Sequence, residues 1–111
     1  MQITNDDVVC EANYTPLYPL SYTCGEIDGS SVGGSAPGTT YHILGTTVDL
    51  SGVSPSNCTP GNGYTFNRWS CHRSNNSSVI NSGNYSQVNI VTPGVICDAE
   101  WNAPAPNTYS L

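Results

Sequence analysis

Gly63-Tyr64-Thr65-Phe66-Asn67-Arg68-Trp69-Ser70-Cys71 is the stretch on which the reading of this chain turns. It holds three aromatic rings and a cysteine within nine residues. Aromatic and β-branched side chains fill a pleated, half-buried surface well, so the stretch predicts a strand. Asn62-Gly63 just before it is a turn signal. The expectation is a central strand that feeds Tyr64, Phe66 and Trp69 into a small core.

Working outward, the composition predicts a mostly β domain with little helix. Ser, Thr and Asn make up a third of the 111 residues, and lysine is absent. Long helices draw on Ala, Leu, Glu, Lys, Gln and Arg, which are scarce here. The 11 Gly and 8 Pro favour short strands and many turns. A single domain of this length has a thin core.

Upstream, Ser21 to Ile27 reads as the opening strand, with Tyr22 and Cys24 on one face by period two. Asp28 to Gly38 reads as a Gly/Ser loop. Thr39 to Leu44 and Thr46 to Leu50 read as short strands around Gly45. Ser51 to Gly63 is expected to be irregular, with room for one helical turn at 51–54. Downstream, His72 to Gly83 reads as a polar loop, Gln87 to Val91 as a strand and Thr92-Pro93-Gly94 as a turn. In the last strand, Val95 to Trp101, parity puts Val95, Cys97, Ala99 and Trp101 on one face. Ile96, Asp98 and Glu100 take the other.

Residues 1–20 read as an extended arm. Pro16 and Pro19 each lack an N–H and bias the preceding residue towards extended backbone. The tail, 102–111, contains Ala103-Pro104-Ala105-Pro106 and reads as a stiff extended linker. No internal repeat is visible.

The central and closing strands carry a resemblance. Gly63-Tyr64-Thr65-Phe66-Asn67-Arg68-Trp69, followed by a strand ending Ala99-Glu100-Trp101, resembles the Listeria–Bacteroides repeat, the B-repeat of internalin-type bacterial surface proteins. The family pattern is an opening strand, a Gly-rich loop, G-Y-x-F-x-G-W, and a closing strand ending A-x-W. It matches residues 21–101, and Arg68 replaces the family's Gly before Trp. The resemblance implies a β-grasp-like module, found in tandem at cell surfaces and serving spacing or adhesion. It also implies that Trp69 and Trp101 are core residues.

Cysteine usage points to an oxidising compartment: five Cys serve a thin core. Trp69 and Cys71 share a face, as do Cys97 and Trp101, so Cys71–Cys97 is a reasonable bridge if their strands are neighbours. Cys24–Cys58 would tie the opening strand to the loop entering the central strand. Many other pairings are open to five cysteines. Cys10 lies outside the matched region and is the candidate for an intermolecular bond. Met1 to Asp7 has neither the basic start nor the apolar stretch of a signal peptide. Sequons at Asn13, Asn57, Asn75, Asn76 and Asn84 are common by chance in so Asn/Ser/Thr-rich a chain.

Two Arg and a formal charge of −6 cannot track phosphates, which argues against nucleic acid and against anionic membrane surfaces. No apolar run approaches the roughly 20 residues of a membrane span. Candidate chemistry is sparse. Gly29-Ser30-Ser31-Val32-Gly33 matches the nucleophile elbow, but a helix should follow, and Gly and Pro follow instead. Asp98 and Glu100 share a strand face, as glycosidase carboxylates might, and Glu26 and Asp28 form a second acidic pair. All four read as solvent-facing. Cys71-His72 lacks zinc-site spacing, and His42 reads as a packed, hydrogen-bonded residue. Tyr14, Tyr18 and Tyr109 lie in the arms and are the interface candidates.

The expected function is a non-catalytic extracellular or cell-surface module, structural or adhesive. It is either a surface-protein repeat unit or a subunit of a filament or virion surface, assembled through its arms. The partners are other copies or neighbouring surface domains, and no cofactor is implied. A glycan-binding module is the alternative.

Overall fold

The structure, a computed structural model, describes residues 8–104. Ten strands follow in order: β1 (Leu17–Thr23), β2 (Glu26–Ile27), β3 (Ser30–Ser31), β4 (Gly33–Gly34), β5 (Thr40–Ile43), β6 (Thr47–Asp49), β7 (Cys58–Thr59), β8 (Thr65–Arg73), β9 (Gln87–Asn89) and β10 (Val95–Asn102). No helix occurs among the described residues, as the shortage of helix formers predicts. The fold is mostly β and disulfide-stapled. The β-grasp-like arrangement stays an expectation of the resemblance.

The main sheet has the order β5-β1-β10-β8. β1 and β10 are parallel, and the two outer pairings are antiparallel. Three two-stranded ribbons surround it: β2–β3, β4–β7 and β6–β9. The core lies between the main sheet and the β6–β9 ribbon. Leu20, Trp69, Cys71, Val95, Cys97 and Ala99 come from the sheet, and Leu50, Val88 and Ile90 complete the buried cluster. β10 alternates as its parity predicts, with Val95, Cys97 and Ala99 buried and Ile96, Asp98 and Glu100 partly exposed.

The aromatic strand is not central. β8 forms one edge of the sheet, and β1 and β10 occupy the middle. Its outer side is covered instead by residues 79–81: Ile80 N–H donates to the Cys71 carbonyl at 2.8 Å, and Val79 bridges His72. Phe66 and Trp69 have opposite parity, yet both pack towards the core. A bulge explains this. Glu100 pairs with Arg68 and Trp101 with Phe66, so Asn67 is the extra residue on β8. Arg68, which stands where the family has Gly, avoids the strained region, since Asp28 is the one non-glycine residue with positive φ among those described. Tyr64 lies outside the buried cluster and is half-buried, because it precedes the first β8–β10 pair.

The arm is shorter than expected. Residues 17–20 belong to β1, and Leu20 is fully buried. Pro19 is accommodated because it pairs with Tyr41 alone; the ladder to β10 begins one residue later, at Leu20↔Val95. A missing N–H costs little where one side of a strand is open. The rest of the expected arm, 8–16, is exposed and has no regular structure. Tyr18 packs against the core rather than standing free. Residues 1–7, most of the Pro-rich tail and Tyr109 lie outside the described residues.

The opening strand divides into β1 and β2 because the chain turns at Cys24-Gly25. Gly25 has φ 75°, and a Cβ there would meet the Ala99 carbonyl oxygen, so this crossing over β10 needs glycine. The expected Gly/Ser loop contains a hairpin, β2–β3, closed by Asp28 (φ 52°) and Gly29 (φ 80°). Positive φ at both positions is the two-residue turn that Asp-Gly favours. In place of the helical turn expected at 51–54, residues 50–53 form a single turn, with Val53 N–H donating to the Leu50 carbonyl, and no helix. β9 ends at Asn89 rather than Val91, and β10 runs on to Asn102.

Candidate functional site

Both expected disulfides are present. Cys71 and Cys97 sit directly opposite each other on β8 and β10, with Cα atoms 3.9 Å apart. Cys24–Cys58 joins the end of β1 to β7. Two structural disulfides suit an oxidising, extracellular-type environment. Cys10 is free and exposed, within the 8–16 segment.

The aromatic residues meet as a cluster. Trp69 is 1% exposed and touches Tyr22 and Phe66, with ring centroids 5.1 and 5.2 Å away. Its indole N–H donates to the Val53 carbonyl at 3.1 Å. Trp101 stacks edge-on to Phe66 at 5.8 Å and donates to the Cys24 carbonyl at 2.8 Å. It is half-buried, so it packs on the core from outside rather than filling it.

The face of β10 opposite the core is polar. The Thr23 hydroxyl donates to Asp98 Oδ1 at 2.6 Å, and His72 Nε2 lies 2.9 Å from Asp98 Oδ2. Arg68 Nε donates to Glu100 Oε1 at 2.6 Å, and its guanidinium lies 3.7 Å from the Tyr85 ring centre. Beside this row is an open hollow of about 490 Å³, which Thr23, Glu26, Ser31, Val32, Asp98 and Glu100 help to line. Glu26, Asp98 and Glu100 are thus brought together, whereas Asp28 stays in the hairpin turn.

His72 Nδ1–H points at two acceptors, the Arg73 and Asn76 carbonyls, at 2.8 and 2.9 Å. With Asp98 on Nε2, every partner of the ring is an acceptor, and only the doubly protonated form satisfies them all. Burial pulls the pKa of this ring down, but the two carbonyls and the Asp98 carboxylate outweigh that and hold it above the ordinary value. The ring therefore works as a clamp on the 73–76 turn. Both ring nitrogens are engaged by acceptors of the protein itself.

The hollow's chemistry is limited accordingly. Asp98 and Glu100 each have a basic partner on β8. Ser31 of the elbow-like motif lies in β3, and strand β4 follows it instead of a helix. Cys71 is consumed by its disulfide, and His42 bonds the Thr40 hydroxyl at 2.6 Å. Among the described residues, no group of three or more His, Cys, Asp or Glu is placed to hold a metal ion.

The second candidate is the β1–β5 edge. Leu17 opposes Ile43 and Pro19 opposes Tyr41 on the face away from Leu20. Leu17, Tyr41 and Ile43 are exposed, Tyr41 to 61%. Val8 and Tyr14 of the arm are 86% and 87% exposed. Leu17, Tyr41 and Ile43 thus share an exposed apolar face on the paired strands, and the exposed apolar residues of the arm precede it in sequence. Sequence reasoning found the arm but missed its acceptor-like edge. Alternation of Tyr18, Leu20 and Tyr22 was the signal for an earlier β1, masked by Pro19. It also missed Asn81, which is buried and bonds the Cys71 N–H and the Trp69 and Gln87 carbonyls. A polar residue in a polar loop gives no such signal.

No protein-family model, curated protein or solved structure matches this chain. The likeness to the Listeria–Bacteroides repeat therefore rests on its motif residues.

Proposed function

We propose that the chain is a non-catalytic extracellular module, structural or adhesive, that joins copies of itself or neighbouring surface domains through its N-terminal arm. It would act as a B-repeat-like unit of a surface protein, or as a subunit of a filament or virion surface. The sheet order with its parallel middle pair supports a β-grasp-like framework of the kind the resemblance implies.

One observation carries the reading: a stapled domain bears an exposed apolar segment, 8–16, that its own core leaves unused. Val8, Val9 and Tyr14 within it would leave water on joining a partner, which favours association. The test is the molar mass of the whole chain in solution against a chain lacking residues 1–16, by light scattering. The reading predicts concentration-dependent association of the whole chain and a monomeric truncation. A monomer in both cases contradicts arm-mediated joining. Specific binding on a glycan array, abolished by Tyr41→Ala, would favour a glycan-binding module instead.

A further inference from the structure

Building on arm-mediated joining, we infer that the acceptor is the open edge of β5 in a second copy, which the 8–16 segment joins as an added strand.

The donor is patterned for this. From Val8 to Thr15, period two puts Val8, Cys10, Ala12 and Tyr14 on one face and Val9, Glu11, Asn13 and Thr15 on the other. That is the pattern of a strand with one apolar face. The segment nevertheless has no strand partner among the described residues of its own chain, and residues 8–16 are all exposed. Pro16 marks its end, immediately before β1.

The acceptor is patterned to match. Among the described residues β5 ends the main sheet and pairs only with β1, so alternate N–H and C=O groups face outward along its other side. Its outer face shows Tyr41 and Ile43, extended by Leu17 on β1. An arm strand set beside β5 would continue this apolar face with Cys10, Ala12 and Tyr14. The main-chain bonds supply affinity and the side-chain alternation fixes register. Fully extended, the segment spans about 30 Å, which exceeds the roughly 13 Å of a four-residue strand.

A second copy fits better than the same chain. Leu17 opposes Ile43, so the arm leaves the sheet past the end of β5 where Leu44 and Gly45 turn. Folding back would require a crossing of about two strand spacings, roughly 10 Å, over that turn, and the segment does not make it: residues 8–16 pair with no strand among the described residues. Donor and acceptor are different surfaces, so the contact is head-to-tail and propagates unless its rotation closes a ring. The formal charge of −6 opposes association, so added salt should strengthen it.

The test uses the chain with Cys10→Ser, which removes disulfide exchange, in sedimentation velocity across a concentration series. The parent should associate, more so at higher salt. Deletion of residues 1–16 and the double change Tyr41→Glu, Ile43→Glu should each leave a monomer. If the deletion abolishes association and the double change does not, the arm docks elsewhere; the edge assignment is overturned while arm-mediated joining stands. If every form is monomeric, both are overturned. Hydrogen exchange keeps the test decisive should the double change disturb folding. A synthetic peptide of residues 8–16, added to the truncated chain, should protect amides within 40–43. Protection confined to another strand, or none, contradicts the assignment.

Discussion

The two halves of the main sheet differ in what they do with similar residues. In the β8–β10 half, eight residue pairs run along the ladder, a disulfide joins directly opposed residues, and Trp69 fills the core. Its polar face is locked by Arg68–Glu100 and His72–Asp98. In the β1–β5 half, four pairs are made, no disulfide links the strands, and Leu17, Tyr41 and Ile43 face solvent. One half holds the fold together. The other leaves apolar surface and an open edge available, which a stable opposite half makes tolerable.

Reduction should separate the halves most sharply. The sequence separations of 34 and 26 residues each correspond to about 3.5 kcal/mol of loop-closure entropy, roughly 7 kcal/mol together. A domain has only about 5–15 kcal/mol in total. All four cysteines are buried, Cys71 and Cys97 completely, so reductant acts chiefly through opening of the chain. Equilibrium denaturant unfolding with reductant should therefore show most of the stability lost. An unchanged midpoint would refute the stapled half.

Aromatic truncation comes next. Trp69→Ala should cost roughly 3–5 kcal/mol, the range for a buried aromatic. Trp101→Ala should cost less, since that ring is half-buried. Leu17→Ala should stay within about 0.5 kcal/mol in the monomer. Thermal melting of the three variants checks the gradient, and equal losses would erase the distinction.

Asn81→Ala tests how residues 79–81 are held over the outer side of β8. It strands the Cys71 N–H and the Trp69 carbonyl in the interior. The expected loss is roughly 2–3 kcal/mol, read from the denaturation midpoint. A neutral result would mean that water replaces the side chain.

The smallest effect is a pH dependence. His72 has its folded pKa raised above the unfolded value near 6.5. The folded state then binds the proton more tightly, so this contribution is full below that value and fades as pH rises through the folded pKa. Its partner Asp98 is partly exposed, so the effect should stay within about 1 kcal/mol. Denaturation midpoints between pH 5 and 9 should fall more in the parent chain than in His72→Gln. Identical profiles would remove the clamp.

Much of this arrangement was legible in the sequence. Parity alone placed Val95, Cys97 and Ala99 on the core face, and face matching favoured Cys71–Cys97; Cys24–Cys58 was one of many open pairings, and the structure has both. What parity could not give was strand order: nothing in Thr65 to Cys71 says that residues 79–81 will cover one side of the strand. The bulge at Asn67 was equally silent, although Phe66 and Trp69 on one face already conflict in parity. Asp28-Gly29 was a readable hairpin signal that the surrounding Gly and Ser concealed. Pro19 masked β1, because a strand tolerates proline only where one side is open, and that depends on where β10 begins.

Native-state hydrogen exchange resolved by residue tests the division of labour most directly, since amides report both local and global opening. Amides of Trp69 to Cys71 and Cys97 to Ala99 should exchange only by global unfolding in the arm-deleted monomer. Those of Thr40 to Ile43 should exchange by local opening, at least about tenfold faster, equivalent to 1.4 kcal/mol. Protection of β5 equal to or greater than that of β8 and β10 would contradict the account.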